Sequence, residues 1–321
     1  MINLVKDETL SFNNVEDLKK EVNKNQGHFL HTRMKEVSMN EEGLRIEKKN
    51  YGLKECGLKS ICNRVGIPTT YADRIPTDLL VDSFNRLVKS QPDKPITVNL
   101  RKNNVRAIHS DTYMPISNDK IVNALEIPKD LKVKVRDITL GDEFMRIAFT
   151  SSINRVEVRK GDIVEVGQEI NNSETGYSTF SSLDYLNRLV CTNGATIAMA
   201  GHGVRKVHLG YQDFNPNEII AKGIERMRQS HRYADAFKIM NDKKPLASYL
   251  EKLSKDVQAS LGKAPTAELV RQWKDQELNM YSIFNEITEV AHTRKDITFP
   301  ARQNLERIGG RILDNYLNMV K

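Results

Sequence analysis

The clearest periodicity in the chain lies between Leu131 and Leu140. Leu131, Val133 and Val135 alternate with Lys132, Lys134 and Arg136, the period-two pattern of a strand with one apolar and one wholly cationic face. Its neighbours can be read in order. Pro95–Leu100 and Val105–Ser110 are two extended runs. Asn103-Asn104 lies at their junction, and asparagine tolerates the left-handed conformations of a tight hairpin turn. Ser117 stands as N-cap before a short helix over Asn118–Leu125, which must end before Pro128. Gly141-Asp142 turns the chain into a second strand, Glu143–Thr150, and Gly161–Ile170 gives a third. Leu183, Leu186, Val190 and Ile197 fall on one stripe of a long helix, roughly Ser181 to Met199. Hairpin, helix, three strands and helix predict an α+β layer: an antiparallel sheet with helices on one face and a basic surface on the other.

The flanks read differently. In region 1–92, Val15–Asn25 is a charged helix, and Phe29–Met39 and Gly43–Lys48 are strands. Leu53–Gly66 is a helix with Leu53, Leu58, Ile61 and Val65 on one face. Ile67–Pro76 is a proline-bracketed loop, and Thr77 caps a helix to Ser90. Ser90–Pro95 reads as a linker. The central core spans 93–212 and closes with a glycine-flanked loop, Ala200–Gly210. Region 213–321 is helical, opened by Asn215 as N-cap and Pro216 at the first helical position. Helices are expected over about 216–240, 246–261, 266–292 and 301–320.

Composition narrows the classes. The chain has 321 residues and a formal charge of +7, with a pI near 9.1. Both signs of charge are abundant, so the excess points to a polyanionic partner rather than to a basic tail. Mean hydropathy is −0.52, polar for this length, which fits exposed helix or apolar surface shared in an oligomer. Cys56, Cys62 and Cys191 have no zinc or redox spacing and imply a reducing compartment. The opening residues MINLVKDETL carry no secretory pattern, and no run approaches the ~18 apolar residues of a membrane span. The expectation is a cytoplasmic location.

Catalytic signals are sparse. There is no phosphate-cradling glycine loop and no dinucleotide turn, which argues against an ATPase or a dehydrogenase. No nucleotide cofactor is expected. His28/His31 and His202/His208 are the only near pairs among seven histidines, and neither sits with carboxylates at ligand spacing, so no metal is expected. Glu157-Val-Arg159 and Asp162–Glu165 are the nearest approach to a metal-dependent nuclease. The basic residues carry more. Arg101, Lys102 and Arg106 flank the hairpin tip, and Lys132, Lys134 and Arg136 line the next strand. Arg155, Arg159 and Lys160 precede the third strand, while Arg205 and Lys206 occupy the closing loop. Such side chains neutralise phosphates. Tyr113, Tyr177, Phe180 and Tyr185 could offer stacking planes. Glycines 201, 203 and 210 would let backbone N–H groups approach a phosphate.

Three segments carry a resemblance: Arg106–Leu125 (RAIHSDTYMPISNDKIVNAL), Leu186–Thr196 (LNRLVCTNGAT) and Gly66–Pro76 (GIPTTYADRIP). Together they make residues 35 to 210 similar to a phage/plasmid-like protein family with a domain of unknown function. That resemblance implies no activity. The element order also resembles the core of single-strand annealing proteins of the Red-beta, RecT and Erf type. This implies a ring- or filament-forming homo-oligomer that holds single-stranded DNA in a basic groove without nucleotide. The functional expectation is a non-enzymatic, phage- or plasmid-type single-stranded DNA-binding and annealing protein of recombination or replication. The alternatives are an accessory or assembly protein with an acidic protein partner, and a metal-dependent nuclease.

Overall fold

The computed structural model describes residues 2–189, 196–210 and 214–320. Within them the chain is α+β, with two sheets and a helical C-terminal region. β1 (Leu4–Val5) and β2 (Thr9–Ser11) lead into α1 (Val15–Lys24), whose first turn is capped by the Asn14 side chain accepting from the Asp17 N–H. β3 (His28–Arg33), β4 (Val37–Asn40), β5 (Gly43–Ile46) and β6 (Lys49–Lys54) follow, then α2 (Glu55–Val65), α3 (Thr69–Ala72), α4 (Thr77–Ser90) and the hairpin β7 (Pro95–Arg101) and β8 (Asn104–Ser110). The hairpin turn is Lys102-Asn103, at φ of 49° and 61°, one position earlier than expected, and Asn104 already pairs with Arg101.

This hairpin does not begin the central sheet. It joins a seven-stranded mixed sheet ordered β3-β7-β8-β6-β5-β4, with β1 parallel to β6. β7 is buried on both faces along most of its length, so it needs a partner on each edge, and β3 and β8 supply them. The boundary expected at 92/93 therefore falls within one sheet. α2 and α4 cover it, and Phe84, Ile61, Leu53, Val98 and Leu100 form its core.

α5 (Asn118–Ala124) leads to five long strands: β9 (Val133–Gly141), β10 (Met145–Arg159), β11 (Asp162–Asn172), β12 (Phe180–Arg188) and β13 (Thr196–Lys206). With β2 they form a six-stranded antiparallel sheet, β13-β12-β11-β10-β9-β2. The long helix expected over Ser181–Met199 is thus a pair of strands. Almost every residue of β12 is buried, and a strand covered on both faces loses the alternation that would betray it. Its polar residues have partners inside: Asp184 accepts from Arg226 at 2.7 Å and from Tyr233 at 2.5 Å, and also pairs with Arg232. Val190 and Cys191 lie outside the described residues. The closing loop is also largely strand, because β13 runs on to Lys206.

The C-terminal helices are α6 (Pro216–Arg228), α7 (His231–Asp242), α8 (Ala247–Leu261), α9 (Lys263–Asp275), α10 (Met280–Thr293) and α11 (Phe299–Leu317). The helix expected over 266–292 is broken at Glu277 (φ 47°), after which Asn279 caps α10. The helix expected over 216–240 breaks at Gln229-Ser230. α1, α5 and α6 cover one half of the second sheet through Leu18, Ile121, Ile220 and Met227, against Ile138, Ile147, Phe149 and Ile170. α7 and α10 bring Tyr233, Phe237, Tyr281 and Phe284 against Val164, Val166 and Leu186 at its other end. α11 packs along β13.

Residues 4–11 strap the two sheets together, since β1 pairs with β6 and β2 with β9. Between them, buried Lys54 donates to the Lys6 carbonyl at 2.6 Å and pairs with Asp142 at 2.9 Å, and the Glu8 N–H donates to Asp142 at 2.8 Å. Among the described residues no helix is long and apolar enough to cross a membrane.

Candidate nucleic-acid interface

The strand register decides which basic residues share a location. On the face of the second sheet that carries Lys134, one row runs Lys134, Thr150, Gly167, Tyr185. The next row outward pairs Arg155 with Glu165 and Glu165 with Asn187. β9 starts at Val133, opposite Ser151, so the tip of the β10–β11 hairpin projects past it. Lys132 sits just before that start in a left-handed conformation (φ 44°), with its carbonyl accepting from the Ser152 N–H at 3.3 Å. Lys160 is at the hairpin tip beside Gly161, whose φ of 82° closes the turn. Lys132, Lys134, Arg136, Arg155, Arg159 and Lys160 are therefore gathered at one end of one sheet.

That end is not wholly cationic. Glu165 has no exposed surface; it accepts from Thr150 at 2.8 Å and from Arg155 at 3.1 Å, and pairs with Arg136. Burial raises the Glu165 pKa, but the hydrogen bonds of Thr150 and Arg136 and the charges of Arg136 and Lys134 outweigh it, so its carboxyl titrates below the usual range. Further along the same face, Arg146 donates to Glu169 at 2.9 and 2.6 Å and to Asp137 at 3.0 Å. The expected all-basic face is thus an alternating one, because the acids of β9 and β11 fall between the arginines of β9 and β10. The nuclease candidates are also engaged. Asp162 takes Arg188 at 2.7 Å and Tyr281 at 2.6 Å, and Glu157 accepts from the Gly161 N–H at 2.8 Å. Among the described residues no three His, Cys, Asp or Glu side chains converge as a metal site.

Four cations at this end keep their charge open to solvent. Lys132, Lys134, Arg159 and Lys160 are exposed, and none forms an ion pair among the described residues. Arg159 is steadied without being neutralised: it donates to Asn241 at 2.7 Å and lies 5.1 Å from the Tyr281 ring centre.

The remaining predicted cations lie elsewhere. Arg106 is internal, donating to Asn99 at 2.8 Å, to the Asp142 carbonyl at 3.3 Å and to Glu174 at 2.5 Å, so it braces the sheets and cannot reach an outside ligand. Arg101 is also buried, 3.8 Å from Glu21, and its pKa is lowered first by burial and then by the Arg106 charge. Lys102 is exposed at the first sheet's hairpin tip, 3.5 Å from Glu8. Arg205 pairs with Ser181 and Lys206 with Phe180 on the edge strand β13, at the opposite end of the second sheet from Lys134. In their segment Gly203 serves packing rather than phosphate approach, because a Cβ there would lie 2.2 Å from the Ser182 carbonyl.

Of the aromatic residues named for stacking, Tyr113, Phe180 and Tyr185 are buried and only Tyr177 is exposed. Tyr113 is sandwiched between two histidines, 3.7 Å from His109 and 5.4 Å from His208 with rings within 6° of parallel. Sequence reasoning missed Arg307, which α11 places beside Arg205 in a cleft; on the sequence it is one charge on a helix with no partner in view. Comparison with protein-family models, with curated proteins and with solved structures finds no match for this chain.

Proposed function

We propose that the chain binds single-stranded DNA through the open end of the second sheet and promotes strand annealing without hydrolysing nucleotide. One observation carries this reading: Lys132, Lys134, Arg159 and Lys160 are exposed along the β10–β11 hairpin end of the second sheet and form no ion pair among the described residues, while Arg136 and Arg155 outnumber the one carboxylate they share. Charges placed along a projecting hairpin suit a backbone that is followed rather than a base that is read. A homo-oligomer belongs to the same proposal, because repeating this end around a ring or along a filament makes one continuous track. β3 stands at the edge of the first sheet, where strand edges invite pairing with another chain.

The test is a filter-binding salt titration with single- and double-stranded DNA, together with a light-scattering mass. Contact with about five phosphates gives a log–log slope of several units. A flat response, or no retention at low salt, refutes the reading. A strict monomer in the presence of DNA removes annealing and brings forward an accessory protein whose basic end meets an acidic partner.

A further inference from the structure

A cleft of about 240 Å³ opens between the polar face of the second sheet and α11. Its floor is Glu169, Asn171, Ser181 and Leu183, and Arg205 and Arg307 stand on its two sides, one from β13 and one from α11. Phe144 and Tyr177 form its mouth, with ring centres 6.4 Å apart, and Tyr177 is 50% exposed. Ser178 and Thr179 add hydroxyls.

The charges in this cleft are unevenly satisfied. Glu169 is held by Arg146 at 2.6 Å and by Asn171 at 2.6 Å. Glu306 lies 3.3 Å from His292 and 3.9 Å from Arg146. Both carboxylates therefore have partners within the fold, with Arg146 shared between them. Neither Arg205 nor Arg307 forms an ion pair among the described residues, and each is charged in the other's field. The Arg205 pKa is lowered first by burial and then by Arg307, with Glu169 only partly opposing. Two guanidiniums that line one cleft, neither in an ion pair among the described residues, make a fork suited to phosphate oxygens. At the rim the exposed Tyr177 ring, tilted against half-buried Phe144, supplies a stacking plane. Ligand pockets commonly run ~300–1,000 Å³; at about 240 Å³ this one is small, which suits a ligand whose ring stays in the mouth.

We infer that this cleft binds a nucleoside monophosphate unit, with its phosphate between Arg205 and Arg307 and its base against Tyr177. The inference is independent of strand binding at the other end of the sheet. Binding needs no glycine-rich loop, because side chains rather than backbone N–H groups meet the phosphate.

The probe is dAMP in calorimetric titration of the full chain. Binding tighter than about 1 mM is expected. Deoxyadenosine and ribose 5-phosphate, which each keep half of the ligand, should bind at least tenfold more weakly. Arg205→Gln and Arg307→Gln should each weaken dAMP at least tenfold, Arg307→Lys less, and Tyr177→Ala several-fold. Arg307 is exposed on its helix, so its variants keep the fold, which an unchanged melting curve verifies. No heat of binding at about 10 mM dAMP, or wild-type affinity in both glutamine variants, overturns the proposal. A Lys134→Glu/Arg155→Glu protein must still bind dAMP; loss there would place the ligand at the wrong site. Competition by a 5′-phosphorylated oligonucleotide, but not by its 5′-hydroxyl form, would identify a strand end as the source of the unit, and its absence a free nucleotide.

Discussion

Arg106 and Glu174 meet at 2.5 Å with both side chains buried, one from each side of the junction between the two sheets. Glu174 also accepts from the Asn118 N–H at 2.8 Å, and its carbonyl accepts from Tyr113 at 3.1 Å. Removing one partner leaves the other charge uncompensated in the interior. Arg106→Met should lower unfolding free energy by about 3–5 kcal/mol in urea, while the protein that remains folded keeps its DNA affinity. A near-neutral change would show that the pair does not brace the sheets.

His109 and His208 are held neutral by burial, with their pKa lowered to about 4 from 6.5. Between those values the unfolded chain takes up protons that the folded chain refuses. Stability is therefore complete above pH 6.5 and falls as pH drops toward 4. The two groups contribute at most on the order of 3 kcal/mol each. His109→Phe keeps a ring against Tyr113 and should remove roughly half of the pH slope in urea midpoints measured from pH 7 to 4.5. An unchanged slope would place the titration elsewhere.

Charge reversal separates the basic end from the hairpin of the first sheet. Lys134→Glu with Arg155→Glu should weaken single-stranded DNA binding tenfold or more, about 1.4 kcal/mol, and reduce the salt slope by about 2. Lys102→Glu should change affinity less than about twofold. The reverse ranking would move the interface to the first sheet.

The two glycines of the 203–210 segment should respond differently. Gly203 sits at φ 150° with the Ser182 carbonyl 2.2 Å from where a Cβ would stand, whereas Gly210 (φ 67°) has open space around that position. Gly210→Ala should cost about 1 kcal/mol in thermal melts, and Gly203→Ala clearly more, since strand β12 would have to shift. Equal effects would mean that the segment is not paired as a strand.

The fold class was legible because its signals are local. Asn215 caps the helix that follows it, and the alternation does mark a strand from Val133 on, with Leu131 and Lys132 ahead of its start. What failed was partner choice. A hairpin carries no record of which sheet it joins, and Pro95–Ser110 joined the strands before it. β12 hid behind a helical spacing of leucines because α6, α7 and buried Asp184 make its polar positions interior. Two of the candidate cations, Arg101 and Arg106, shared the same fate. Lys134 and Arg159 reach solvent as their sequence suggested. Arg106 belongs to an extended run too, yet both faces of that strand are covered. Arg307 was invisible for a related reason: a cleft built from β13 and α11 joins residues a hundred positions apart.

The strap at residues 4–11 sets an order of events during synthesis. β1 can pair with β6 once about fifty further residues have emerged behind it, but β2 must wait for β9, some 130 positions behind it. Until Thr139–Gly141 emerge, Thr9–Ser11 is an unpaired edge beside a nearly finished first sheet. Contacts this distant in sequence slow folding. The strap is thus tethered at β1 well before β2 is paired, and the closing of the second sheet onto β2 also fixes that sheet against the first.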